Sequence, residues 1–334
     1  MLRLLLLPPH STPLDAALPQ MVFRARWTCN HLQRLPATLH NDVILFAMIP
    51  FLHIWPVPWP IPTFGLMVAC AMLAAYFVLR ADLARRGIAA KDSGEAEALI
   101  SFPCLAGFVG AKLYHLLESP AEFFAAPLRL LFNPYGFAWF GGLLMGFATF
   151  AFVAWRISVR NTAAGNPISL LTIFDAGSPA AALGYGIGRI GCLLSGDGDY
   201  GIATSLPWGM SFPNGLVPTS ERVHPTPIYE FIIACAIAWW LWRKGATSDD
   251  ARTKKGAFGR AKSGAQAKVT PGAVPGEIFA DYLLLTGLAR FLVEFIRINP
   301  RSFLGMSNAQ TAAALSIIAG AVLWQRVRGR QVRV

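Results

Sequence analysis

The stretch Ile61-Pro62-Thr63-Phe64-Gly65-Leu66-Met67-Val68-Ala69-Cys70-Ala71-Met72-Leu73-Ala74-Ala75-Tyr76-Phe77-Val78-Leu79 carries no charged side chain and stops at Arg80. It is long and apolar enough to cross a hydrocarbon layer, which takes about 20 residues of helix. The pattern recurs outward along the chain. Apolar segments at 98–117, 133–155, 168–188, 225–242, 276–296 and 305–325 complete a predicted set of seven spans. The whole chain agrees: 54% of its 334 residues are hydrophobic and 14% charged, against about 25% charged in soluble domains. The expected fold is an all-α integral membrane domain over 61–327. An N-terminal extension and interfacial segment occupies 1–60, a flexible linker 244–275, and a basic tail 328–334.

The net charge of +11 reads as topology, not as nucleic-acid binding. Arg80, Arg85, Arg86 and Lys91 follow the first span, Arg156 and Arg160 the third, a Lys/Arg-rich stretch the fifth, and Arg326, Arg328, Arg330 and Arg333 the seventh. The alternate loops are poorer in basic residues. Positive-inside then puts the C-terminus in the cytoplasm and the N-terminus outside, against the minority vote of Arg3, Arg24, Arg26 and Arg34. Five cysteines with no C-x-x-C pair signal neither a zinc site nor a disulfide framework. No metal or organic cofactor is expected.

Charge inside a spanning helix is expensive and marks function by default. Lys112 and Arg290 each lie 14 residues into their spans, roughly 21 Å from the cytoplasmic end at the rise of an α-helix. Arg189 lies at the outer end of the fourth span, and Glu294 and Arg297 share a helix face with Arg290. Tyr282 lies two turns below on that face. His115 and His224 fall near the outer boundary. A guanidinium is permanently charged and offers a planar fork suited to phosphate, so arginines at headgroup depth suit a phospholipid held from the outer leaflet. Glu294 alone cannot neutralise so many cations. Gly142 and Gly146, and Gly184 and Gly188, form G-x-x-x-G pairs of the kind that let helices approach closely.

Several segments resemble one family. Gly188-Arg189-Ile190-Gly191-Cys192-Leu193-Leu194-Ser195-Gly196-Asp197, running to Tyr200-Gly201, is similar to the signature loop of the prolipoprotein diacylglyceryl transferases. His224-Pro225-Thr226-Pro227-Ile228-Tyr229-Glu230, Arg290-Phe291-Leu292-Val293-Glu294-Phe295-Ile296-Arg297, Phe140-Gly141-Gly142 and Gly110-Ala111-Lys112 resemble further motifs of that family in the same order. The resemblance implies transfer of the diacylglyceryl group of phosphatidylglycerol to the lipobox cysteine of prolipoprotein signal peptides, at the outer face of the bacterial cytoplasmic membrane. It implies Arg189 and Arg290 as phosphate ligands, Glu294 orienting Arg290, and Gly201 letting the loop backbone approach the lipid. Gly141, Gly142, Lys112 and Tyr282 complete the expected lipid site. Phe140 stands where many members have a histidine and Cys192 where they have asparagine, which leaves His224 and His115 as the candidates for the base, with a helix-start histidine bonded to a loop as the alternative reading of His224. Two alternatives stay open: a lipid-binding relative with another acceptor or no activity, and a transporter, although no inverted repeat is seen.

Overall fold

A computed structural model describes residues 49–53, 60–88, 94–118, 120–133, 136–259, 274–301 and 305–331. Most of the N-terminal extension, including its four arginines, and the linker over 260–273 lie outside the described residues. A two-residue pairing of β1 (Phe51–Leu52) with β2 (Ile61–Pro62) leads into α1 (Thr63–Arg85). Then come α2 (Glu95–Glu118), short helices α3 (Pro120–Ala125) and α4 (Pro127–Leu131), α5 (Trp139–Ala163) and α6 (Leu170–Ser195). The hairpin β3 (Met210–Phe212) and β4 (Thr219–Val223) follows, then α7 (Thr226–Gly259), α8 (Glu277–Val293), a 3-10 turn at Glu294–Ile296 and α9 (Asn308–Gln331). Helices α1, α2 and α5 are long and apolar enough to cross a membrane, and large apolar side chains such as Leu73, Phe77, Phe102, Leu105 and Phe108 cover their outer faces. A soluble core would hide these; lipid accepts them.

Several element ends differ from the sequence expectation. The third span begins at Trp139, not at 133. Gly136 adopts φ +80° against the His115 ring, a conformation that a helix cannot continue. Helix α6 runs to Ser195 and stops where Gly196 turns left-handed, so Arg189 and Cys192 are helical residues and not loop residues. Helix α7 continues to Gly259, which makes the first half of the expected linker helical. The sixth span breaks at Val293 into the 3-10 turn, and α9 extends into the basic tail. The segment between α6 and α7 is a small β-hairpin unit, not plain loop.

Helix α6 is the centre of the bundle. It packs between α1 and α7 and also meets α8. Its small residues explain this: Gly184 faces Ala71 and Ala75 of α1, Gly186 faces Ala234 and Phe231 of α7, and Gly191 faces Phe64 and Met67. Gly188 has nothing within 4 Å of the position a Cβ would take, so the close contact falls to Gly191 and not to the second member of that G-x-x-x-G pair. The C-terminal halves of α1 and α5 and the N-terminal halves of α2 and α6 share an apolar core around Leu79, Leu83, Leu99, Ile157 and Ile173. Below it, charges find partners. Asp82 takes Arg85 at 2.5 Å and Arg86 at 2.9 Å. Lys244 joins Glu277 and Asp281. Asp175, the one charge of the fourth expected span, accepts the N–H groups of Gly276 and Phe279 at 2.8 Å each and so caps the N-terminus of α8.

The Gly141-Gly142 pair is a packing device. A Cβ on Gly141 would lie 2.3 Å from the Gly110 carbonyl oxygen and from Tyr114 Cβ, and one on Gly142 would lie 3.3 Å from the Gly107 carbonyl oxygen. Gly141→Ala therefore forces α2 and α5 apart. It is expected to lower stability by about 1–3 kcal/mol, the cost of overpacking, read as a drop in the thermal unfolding midpoint in detergent. Gly188→Ala, into open space, is expected to leave that midpoint level or raise it slightly, since alanine is the better helix former.

Candidate active site

Three arginines converge at the C-terminal ends of α6 and α8. Arg189 comes from the penultimate turn of α6, Arg290 from the last turn of α8, and Arg297 follows the 3-10 turn. Three carboxylates meet them. Arg189 Nη1 lies 2.5 Å from Asp199 Oδ2, and Arg189 Nε lies 2.5 Å from Glu230 Oε2. Arg290 pairs with Glu230 and, through Nη2, with Glu294 Oε2 at 3.0 Å. Arg297 pairs with Asp199 and stands 3.5 Å from both Glu230 and Glu294. Glu230, Glu294 and Arg297 are buried, while Arg290 and Asp199 are partly exposed. Three guanidiniums against three carboxylates make the cluster neutral overall, which corrects the expectation of an excess of cations.

Each member is held by its element. Glu230 is in the first turns of α7 and also accepts the Tyr185 hydroxyl at 3.1 Å. Glu294 accepts Asn299 Nδ2 at 2.6 Å and Ser307 Oγ at 2.7 Å, so it reaches the start of α9. Asp199 rides on the loop that follows α6, whose small core stacks Tyr200 on Phe212 with centroids 5.1 Å apart. Burial would raise the Asp199 carboxyl, but the charges of Arg189 and Arg297 outweigh it and hold it below the ordinary carboxylate range. Burial and the Asp199 charge push Asp197 the other way, upward.

The loop closes on the 3-10 turn through its backbone. Gly201 N–H donates to the His224 carbonyl and Ile202 N–H to the Ile296 carbonyl, each at 2.8 Å, and Gly201 bridges Arg297. A Cβ at Gly201 would lie 2.5 Å from Ile296 O. Gly201 thus lets the loop backbone close on the Ile296 carbonyl. His224 lies one strand away from Arg297. Its Nδ1 is 3.2 Å from Tyr229 Oη, which accepts Trp208 Nε1–H at 2.8 Å. Arg189 Nη1 also reaches Cys192 Sγ at 3.3 Å.

Three expected site residues make other contacts. Lys112 Nζ donates to the Asn133 carbonyl at 2.8 Å and lies over the Phe137 ring. With Ala138 N–H on the Ala111 carbonyl, it straps the lead-in of α5 to α2. Tyr282 packs with Ala182, Ile237 and Leu241 in the apolar core between α6, α7 and α8. His115 packs its ring against Gly136.

The sequence model of the family described as prolipoprotein diacylglyceryl transferase matches residues 51–326, and that range contains every element of the arginine cluster. The chain belongs to the prolipoprotein diacylglyceryl transferase family. Curated relatives named phosphatidylglycerol–prolipoprotein diacylglyceryl transferase include one from Geobacter sulfurreducens, 30% identical over 247 residues that cover 73% of this chain and 80% of the relative. Another, from Leptospira interrogans, is 27% identical over 84% of this chain and 85% of its own. One from Clostridium tetani is 28% identical over 80% of this chain and 94% of its own. Like other members of the diacylglyceryl transferase family, this chain is a mostly helical integral membrane protein. Asp199 and Glu230 are the partners in the arginine cluster that sequence reasoning missed. Glu230 had a signal, as the single charge of the fifth expected span. Asp199 had none, because an aspartate in a Gly-rich loop looks like a turn residue.

Proposed function

We propose that this chain transfers the diacylglyceryl group of phosphatidylglycerol to the lipobox cysteine of prolipoprotein signal peptides. It works as a seven-span protein of the bacterial cytoplasmic membrane with the N-terminus outside, the C-terminus in the cytoplasm and the site toward the outer leaflet; nucleic acid has no part in it. The domain boundaries proposed are 61–327 for the membrane domain, with 1–60 as an extension. The observation that carries the reading is the arginine cluster at the outer ends of α6 and α8, where a phosphodiester headgroup would lie.

The chemistry follows from charge. The acceptor sulfur attacks a glycerol carbon of the donor, an S–C bond forms, the C–O bond to phosphate breaks, and glycerol phosphate leaves with the electron pair. Negative charge grows on the leaving phosphate oxygen. Arg189 and Arg290 supply fixed positive charge there, and preorganised charge is the larger part of most such rate gains. Glu294, bonded to Arg290 Nη2, positions that fork. The thiol attacks as thiolate, so its proton needs an acceptor. His224 fills this role through Nε2, in the tautomer whose Nδ1–H donates to Tyr229 Oη.

The test is a transfer assay with purified chain, phosphatidylglycerol and a lipobox peptide, with the thioether product read by mass spectrometry. Wild type is expected to form the thioether. His224→Ala is expected to lose about 10²–10⁴-fold in kcat, the usual contribution of a general base, with KM for the lipid little changed. Thioether formation unaffected by His224→Ala would pass the base role to another group. Lipid binding with no thioether on several peptides would make the chain a lipid-binding relative without transfer.

A further inference from the structure

Three guanidiniums and three carboxylates already balance, so the phosphodiester of a lipid cannot simply add to the cluster without leaving a buried negative excess. Such an excess is costly in a low-dielectric site. One carboxylate has to leave as the phosphate arrives, and the geometry distinguishes the three. The Glu230 side chain is 3% exposed and shared by three arginines and Tyr185. The Glu294 side chain is 1% exposed and fixed by Asn299 and Ser307 as well as by two arginines. The Asp199 side chain is 31% exposed, belongs to a loop and touches two arginines, with its oxygens divided between Arg189 and Arg297.

We propose that Asp199 is an exchangeable stand-in for the donor phosphate: its carboxylate holds Arg189 and Arg297 in the empty site, and it turns out to solvent when the phosphate of phosphatidylglycerol takes its place. This rests on the function proposed above and assigns the position the phosphate occupies. The backbone need not move. The Asp199 carbonyl stays anchored by Thr226 Oγ1 at 2.6 Å, and rotation of a partly exposed side chain suffices. With Asp199 outside and one phosphate inside, two remaining carboxylates and the phosphate again match three guanidiniums. Asp199 also keeps the forks aligned between turnovers, so the site is preorganised for an anion and does not collapse.

The exchange predicts a gain of binding, which a merely structural residue would not give. In detergent solution the intact chain is titrated with short-chain phosphatidylglycerol by calorimetry, and glycerol phosphate is used as competitor. Asp199→Asn, which keeps shape but not charge, is expected to lower Kd by about tenfold, as for the loss of one competing charge-assisted contact. Asp199→Ser serves as a second, smaller variant should the amide not fold, and Glu221→Gln, on the exposed strand β4, as a charge control expected to match wild type. Folding is checked by thermal unfolding. Unchanged or weaker lipid binding in the folded Asp199 variants, beside a wild type that binds, would overturn the exchange while leaving the function standing. A wild type that neither binds phosphatidylglycerol nor makes thioether would overturn both.

Discussion

Arg189→Ala is expected to cut diacylglyceryl transfer by about 10²–10³-fold or more, the size found when one preorganised group at a developing anion is removed. Arg290→Ala should do likewise. The expectation rests on geometry: Arg189 spends Nε and Nη1 on two different carboxylates, which fixes the plane of its fork at the mouth of the loop. For that reason Arg189→Lys should rescue poorly, because a point charge cannot hold two partners in one plane. The measurement is kcat and KM for phosphatidylglycerol in the purified transfer assay, on variants shown to unfold cooperatively. A loss confined to KM would mean that the arginine only binds the ground state. Activity within about threefold of wild type, well inside the range of incidental effects, would remove Arg189 from the reaction.

The largest expected effect on stability belongs to Glu230, not to an arginine. Its carboxylate serves Arg189, Arg290 and Arg297 and accepts from Tyr185. Glu230→Ala leaves three guanidiniums facing two carboxylates in a buried setting, and breaking such a network by removing one partner costs about 3–5 kcal/mol. Thermal unfolding in detergent micelles should show a lower midpoint than for any single arginine variant. Glu230→Gln should lie between, since the amide still accepts from one guanidinium but cannot balance the charge. If Glu230→Ala unfolds at the wild-type midpoint, the three arginines are not held by this residue, and the cluster as described is wrong at its centre.

These two predictions differ in how far the sequence alone could have reached them. The spacing of Arg290, Glu294 and Arg297 put those residues on one helix face, and the structure keeps Arg290 and Glu294 in contact because an i,i+4 relation survives any tertiary arrangement. The apolar runs of α1, α2 and α5 were equally plain, since about twenty predominantly apolar residues have few uses outside lipid. The other partners were not. Glu230 lies 60 residues from Arg290 and Asp199 lies 98 from Arg297. No local pattern pairs them; they meet because α6, lined with small residues, lets α7 and α8 close against it. Reading Arg189 in isolation therefore produced an unpaired cation where there is a neutral lattice.

Lys112 and Gly201 teach the same lesson from the other side. By depth and motif both read as lipid contacts, yet one ties down the entry to α5 and the other admits the Ile296 backbone. Depth along a helix is fixed by the 1.5 Å rise, but azimuth and neighbours are not. The sequence by itself determined that this chain is a helical membrane protein and where its most apolar helices lie, because the cost of charge and of unpaired backbone in lipid acts residue by residue. Only the tertiary structure decided which of its charges face one another. That choice depends on helix packing across the bundle, where glycines on α6 set the distances and the loop carrying Asp199 supplies the last carboxylate.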